Sequence, residues 1–183
     1  MTFLKTLYFI AIIPDPILCG RIRQLKEELR DTYGVSHALK LPAHVTLQIP
    51  FHMNPMKELK LEGLLSSFSE RHKAFPVKIN GFGAFKPRVI YLKVEDHAPF
   101  IELHKDLQPM LAEELELLER EVTSKIHPHF TVATRDLKNA IFKEAWPQLE
   151  AREFKAEFTA QKISLLKHNG KTWDILKEFP LKQ

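Results

Sequence analysis

A four-residue pattern of the form His-apolar-Thr-apolar occurs twice in this chain, as His-Val-Thr-Leu at 44–47 and as His-Phe-Thr-Val at 129–132. Nine histidines among 183 residues, 44% of them hydrophobic, give an expectation of roughly 0.09 copies by composition alone. Side chains alternate between the two faces of a strand, so each pattern predicts a half-buried strand with its apolar residues towards a core. Four polar side chains then occupy the opposite faces: His44, Thr46, His129 and Thr131.

The elements around the two patterns recur in the same order. An apolar strand is predicted at 4–13 and again around Tyr91, and each is followed by a proline and an amphipathic helix, the first ending near Gly34. After each His-Thr strand come a second helix and an alternating strand, at 56–73 and 75–80 and then at 137–151 and 154–159. A hairpin closes the chain, with strands at 163–167 and 173–176 about Asn169-Gly170.

This order predicts an α+β fold in a single domain over 1–183, because the length suits one hydrophobic core. We expect two pseudo-symmetric lobes, the first over about 1–85 and the second over about 86–183. Each lobe would be an antiparallel-type sheet with helices packed outside. The two His-Thr strands would then face each other across a cleft between the lobes, which we expect to be the active site.

The composition limits where in the cell the protein is expected and which partners it can bind. The net charge of +4 and the pI of about 9.1 are mildly basic, which suits a phosphate-bearing ligand and gives no basic tail for long nucleic acids. Cys19 is the single cysteine, so no intrachain disulfide is possible and a reducing, cytoplasmic location is expected. The apolar run at 7–13 is too short to span a bilayer. We expect a monomer that does not associate with membranes.

Paired imidazoles and hydroxyls fit acid–base chemistry on a phosphate. A free imidazole titrates near pH 6.5, so one ring could accept a proton while the other donates one, and the threonines could bind the non-bridging oxygens. This chemistry requires no cofactor. The His-Pro-His run at 127–129 could bind a metal ion, but proline interrupts a strand ladder and no carboxylate or thiol lies at ligand spacing. We therefore expect no metal site.

Three further residues are candidates for substrate binding. Lys86 and Arg88 precede the strand around Tyr91 and could hold a substrate phosphate or base, or could belong to a solvated turn. Phe51 could stack on a nucleobase, as could Phe82, Phe85 and Trp173, although core packing is the commoner place for such rings.

The two His-Thr patterns, each of the form His-x-Thr-x, resemble those of the 2H phosphoesterase superfamily, which includes the 2′-5′ RNA ligase-like proteins. Residues 7–12 look like the first strand of that family, 83–92 resemble the segment that enters its second lobe, and 128–132 resemble its proline-led second motif. The resemblance implies two pseudo-symmetric lobes around a cleft. It also implies metal-independent hydrolysis or formation of ribonucleotide phosphodiesters, with four active-site residues: His44, Thr46, His129 and Thr131.

The resemblance does not fix the reaction. Some members carry a basic residue soon after the second motif, and here Ala133 and Thr134 come before Arg135. We expect a phosphodiesterase or transesterase that acts on 2′,3′-cyclic phosphate or 2′-5′ bonds of nucleotides or RNA ends. The alternatives are a 2′-5′ RNA ligase with a larger RNA substrate, a non-catalytic nucleotide- or RNA-binding module, and a metallohydrolase.

Overall fold

The computed structural model describes residues 5–183, which form eight strands and four α-helices. The strands are β1 Thr6–Ile12, β2 Val45–Met53, β3 Phe75–Phe85, β4 Val89–Val94, β5 His129–Ala133, β6 Lys155–Ala160, β7 Lys162–His168 and β8 Trp173–Pro180. The helices are α1 Pro16–Tyr33, α2 Glu58–Ser69, α3 Ala98–Leu115 and α4 Asn139–Glu150. Residue 4, the predicted start of the first strand, lies outside the described residues. None of the helices in the described part is long and apolar enough to cross a membrane.

The strands form two four-stranded antiparallel sheets, in the orders β2-β1-β7-β8 and β5-β4-β3-β6. The predicted α+β class with two sheet-based lobes is therefore confirmed. The expected boundary near residue 85 is wrong for the sheets, because β3 pairs with β4 in the second sheet and the last hairpin, β7–β8, completes the first. The turn between β3 and β4 is too short for anything but a hairpin. A boundary at residue 85 would cut that hairpin.

Helix α1 shows how local sequence sets the elements. The Asp15 carboxylate accepts hydrogen bonds from the backbone N–H groups of Ile17 and Leu18, at 2.9 and 3.0 Å, and Pro16 occupies the first turn. The helix ends at Gly34, as predicted, with φ at 73° and its N–H bonded to the Arg30 carbonyl. A stripe of apolar side chains faces the core: Leu18, Ile22, Leu25 and Leu29.

The apolar residues of the two His-Thr patterns lie in one core that reaches both sheets. Val45 and Leu47 on β2, and Phe130 and Val132 on β5, are fully buried and belong to the same hydrophobic cluster. Burying these side chains turns the intervening threonines to the opposite face of each strand. The alternation predicted from the sequence is thus present in both strands.

Buried polar groups connect β2 to helix α3 and to the segment that follows this helix. The Gln108 amide donates to the Gln48 side-chain oxygen at 3.0 Å, and the Gln48 amide donates to the Glu121 carbonyl at 2.7 Å. A ring nitrogen of His104 donates to the Leu47 carbonyl at 2.8 Å. Because buried polar groups are costly to leave unpaired, these bonds fix the position of β2 against the helix.

The exchange of strands between the lobes predicts that neither half of the chain folds alone. A 1–85 fragment carries β1 and β2 without β7 and β8, and carries β3 without β4 and β6. Expressed separately, the fragments 1–85 and 86–183 should show no cooperative urea unfolding by circular dichroism, whereas the full chain should show one transition. A cooperative transition in the 1–85 fragment would contradict the interleaved topology.

Candidate active site

The two His-Thr patterns line one pocket of about 560 Å³, into which side chains of both sheets project. His44 directly precedes β2 and His129 is the first residue of β5. Thr46 lies opposite Ala11 of β1, and Thr131 lies opposite Tyr91 of β4. Residues 85 positions apart in the chain are therefore neighbours in this cleft.

Both histidine rings are held in the same way. Nδ1–H of His44 donates to the Pro42 carbonyl at 2.8 Å, and Nδ1–H of His129 donates to the His127 carbonyl. Each acceptor lies two residues before its ring. The bond fixes the tautomer of the neutral imidazole and leaves Nε2 available. Within residues 5–183, neither Nε2 atom has a hydrogen-bond partner, so both are free for a ligand or a proton.

Aromatic rings support each histidine from its own lobe. Phe9 of β1 lies 5.1 Å from the His44 ring and Phe85 of β3 lies 5.3 Å from the His129 ring, both measured between ring centroids. Tyr91 contacts the His129 ring at 4.9 Å, and Trp173 packs edge-on against Phe9 at 4.6 Å. These contacts restrict the orientation of both imidazoles and exclude water from one side of each ring.

The environment favours the neutral form of both rings. Burial lowers the pKa of His44 to about 4; the Pro42 carbonyl opposes this shift, and the positive charges of Lys26 and His129 add to it. Burial also lowers the pKa of His129, with the His127 carbonyl opposing the shift. A positive charge on His129 lowers the pKa of His44, so a proton on His129 disfavours a proton on His44.

The pocket carries positive charge without a carboxylate among its described lining residues. Four cationic side chains contribute: Lys26, Lys40, Arg135 and Lys171. Two further histidines, His37 and His168, also line it. Such a lining attracts an anion, because its described residues include cations and no carboxylate.

Two interlobe hydrogen bonds hold the rim of the pocket. One carboxylate oxygen of Asp136, in the loop after β5, accepts from the backbone N–H groups of Ser36 and His37, both at 2.8 Å. Arg135, immediately before, has a left-handed backbone with φ at 52°. These two bonds join the loop that carries Arg135 to the turn that carries His37, and both residues line the pocket.

The three predicted substrate-binding residues lie elsewhere. Phe51 is fully buried and stacks on Tyr8 at 6.1 Å, so its predicted role in stacking on a base is wrong. Phe51 lies an even number of residues from Val45 and Leu47 along β2, so its side chain points to the same, core-facing side of the strand. Lys86 and Arg88 are exposed in the β3–β4 turn and do not line the pocket; the Lys86 ammonium lies over the Trp146 ring at 5.3 Å.

Of the other aromatic candidates, two line the pocket and one does not. Phe85 is 43% exposed beside His129, and Trp173 is partly exposed near His168. Phe82 is buried in the core. Three of the four cations, Lys26, Lys40 and Lys171, could not be assigned to the pocket from the sequence, because they come from α1, from the turn before β2 and from the last hairpin, none of which carries a recognisable motif. Arg135, which the sequence places soon after the second pattern, does line the pocket.

The lowered pKa of His44 predicts an acid-sensitive fold. The unfolded chain binds a proton at His44 near pH 6.5 and the folded chain only near pH 4, so stability falls as the pH drops between these values. We expect His44→Gln to reduce the loss of unfolding free energy between pH 7.5 and 5 by about 1–2 kcal/mol, measured by urea unfolding. An equal loss in both proteins would show that His44 is not a buried neutral ring.

Similarity to known proteins agrees with this geometry. The model of the 2′-5′ RNA ligase superfamily matches residues 14–172. A protein of Geobacillus sp. (strain WCH70), named as a candidate phosphoesterase, is 30% identical over 177 residues that cover 94% of each chain.

Two solved structures share the fold at 20% identity. One is TT0787 of Thermus thermophilus, with a TM-score of 0.70 over 97% of this chain and 98% of the other. The second is E. coli LigT complexed with 3′-AMP, with a TM-score of 0.70 over 98% of this chain and 100% of the other. From its family match over most of its length, this chain belongs to the 2′-5′ RNA ligase superfamily, the 2H phosphoesterases that its paired patterns resemble.

Proposed function

We propose that this protein is a metal-independent phosphodiesterase or transesterase that acts on 2′,3′-cyclic phosphate or 2′-5′ bonds of ribonucleotides or RNA ends. One observation carries the proposal. His44 and His129 line the same pocket, and each is anchored through Nδ1 so that its Nε2 is free. Two imidazoles with free Nε2 atoms around one ligand can act as the general base and the general acid of a reaction.

Relatives support a phosphate ester of a nucleotide as the substrate. The Geobacillus relative is named as a candidate phosphoesterase, and LigT structures are described as complexes with 3′-AMP, ATP and NADP⁺. All three ligands are anionic nucleotides. The carboxylate-free lining of the pocket here suits the same class of ligand.

In the proposed mechanism, one neutral histidine takes a proton from water or from a ribose hydroxyl as its oxygen attacks phosphorus. The other histidine, protonated, gives its proton to the departing ribose oxygen as the phosphorus–oxygen bond breaks. Both rings favour the neutral form in the free protein, and the negative charge of a bound phosphate raises the pKa of a neighbouring imidazole. Substrate binding would thus favour the protonated form of one histidine, which could then act as the general acid.

Other lining residues would stabilise the negative charge on the non-bridging oxygens of the phosphate. Thr46 and Thr131 would donate hydrogen bonds to the non-bridging oxygens, and Arg135 adds positive charge at the rim. Acid–base catalysis contributes about 10² to 10⁴-fold, and each well-aimed donor about 10² to 10³-fold. These contributions are adequate for opening a strained cyclic phosphate.

Ligation uses the same acid–base pair, because it is the reverse transesterification with an RNA hydroxyl in place of water. A pocket of about 560 Å³ is of a size for one nucleotide, which favours cyclic nucleotides or RNA ends over long RNA. A non-catalytic binding module would use the cations and threonines but would have no need for two rings anchored alike.

Replacing either histidine should remove most of the turnover. We expect His44→Ala and His129→Ala each to lower kcat/KM for 2′,3′-cyclic AMP by about 10² to 10⁴-fold, because one proton transfer loses its side chain. His72→Gln is the matched control, since His72 bonds to Phe68 and Asp106 and does not line this pocket. Near-wild-type turnover in either alanine variant would contradict the proposal.

The same assay on EDTA-treated protein separates the classes of function. Product formed after EDTA treatment supports the proposal, whereas tight nucleotide binding without product supports a binding module. Loss of activity with EDTA and its return with added metal ions would instead indicate a metallohydrolase.

A panel of 2′,3′-cyclic mononucleotides, 2′-5′ oligomers and RNA ends, read by mass spectrometry, would identify the substrate and show whether bonds are broken or formed.

A further inference from the structure

Lys26 is a buried cation without a carboxylate partner in the described part of the chain. Its side chain comes from the core-facing side of α1 and the residue is only 3% exposed. The ammonium donates to the carbonyls of Ala38 and Leu41, at 3.0 and 3.1 Å. An ammonium has three N–H groups. The third has no protein partner within residues 5–183.

A buried charge of this kind is costly unless something compensates it. Burial lowers the pKa of Lys26 to about 8, so the side chain is still largely charged at neutral pH. The nearby ionisable groups do not balance it: Arg23 has the same sign, and burial raises the pKa of the Cys19 thiol, which favours its neutral form. Two carbonyl dipoles compensate only part of the charge.

The position of Lys26 indicates where the missing anion would lie. Lys26 lines the pocket of His44 and His129, and it also lines a smaller adjoining pocket of about 320 Å³ that shares Lys40, Leu41 and Trp173. Its charge is close enough to His44 to lower the pKa of that ring. An anion that neutralises Lys26 from the larger pocket would therefore be next to His44.

We propose that Lys26 is a substrate-binding residue whose third N–H donates to a non-bridging oxygen of the substrate phosphate, so that the phosphate is its counter-ion. This inference rests on the proposed function and specifies how the site recognises an anion. Its two carbonyl bonds also tie down residues 38–41, which lead to Pro42, the anchor of the His44 ring. Lys26 thus holds the turn and binds the substrate.

The test measures binding, which does not depend on turnover. Lys26→Gln retains an N–H donor but loses the charge, Lys26→Met loses both, and Lys26→Arg retains both. Lys143→Gln on α4 is the control, because Lys143 is exposed and lines none of the pockets described here. The probe is 3′-AMP, titrated by calorimetry at pH 7 and at two salt concentrations.

We expect Lys26→Gln and Lys26→Met to weaken 3′-AMP binding by about ten- to a hundredfold, the range for losing a charged hydrogen bond. Binding by these variants should also depend less on salt than binding by the wild type. Lys26→Arg should recover most of the affinity, and Lys143→Gln should bind as the wild type does.

Two results would overturn the inference. One is wild-type affinity with wild-type salt dependence in Lys26→Gln and Lys26→Met, which would leave Lys26 a purely structural role. The other result concerns the unmodified protein, so it does not depend on whether a variant folds. There, nuclear magnetic resonance of the Lys26 ammonium should show its pKa rising when 3′-AMP binds, and an unchanged pKa contradicts the proposal. A wild-type protein that binds neither 3′-AMP nor 2′,3′-cyclic AMP would instead defeat the proposed function itself.

Discussion

The site depends on one repeated hydrogen bond, from Nδ1–H of each histidine to the carbonyl two residues earlier. Pro42 supplies that carbonyl for His44, and His127 supplies it for His129. An imidazole without this bond could rotate and exchange tautomers, and its free nitrogen would have no fixed identity. With it, the free nitrogen of both rings is Nε2. Each ring is thus held in one tautomer, with the nitrogen that the proposed proton transfers would use left free.

Sheet packing brings the two anchored rings together. The core buries Val45 and Leu47 on one strand and Phe130 and Val132 on the other, and this fixes which face of each strand carries the polar residues. The exchange of strands makes the arrangement rigid, since the last hairpin completes the first sheet and helix α3 from the second half holds β2. The cleft is therefore a product of the whole fold, and local sequence alone would not produce it.

A structural feature could be predicted from the sequence where the residues that determine it are close together in the chain. The helices and strands were predictable because caps, prolines and alternation act over a few residues, as Asp15 and Gly34 show for α1. The pairing of β7 with β8 was predictable from the turn between them, but the other sheet partners were not, because a pair such as β3 and β6 joins distant segments. The burial of Phe51 does follow from the alternation along β2, because Phe51 lies on the same face as Val45 and Leu47. Lys26 has no motif at all, and only its position beneath the pocket distinguishes it from the other lysines.

We propose that two histidines distant in the chain act on a single phosphorus atom. The most direct measurement is a crystal structure of the protein with adenosine and vanadate, which together imitate the five-coordinate phosphate of the transition state. We expect the Nε2 atoms of His44 and His129 each to lie within about 2.6–3.2 Å of an oxygen on the same vanadium. A vanadate bound to one ring alone, or bound outside the pocket that both rings line, would contradict it.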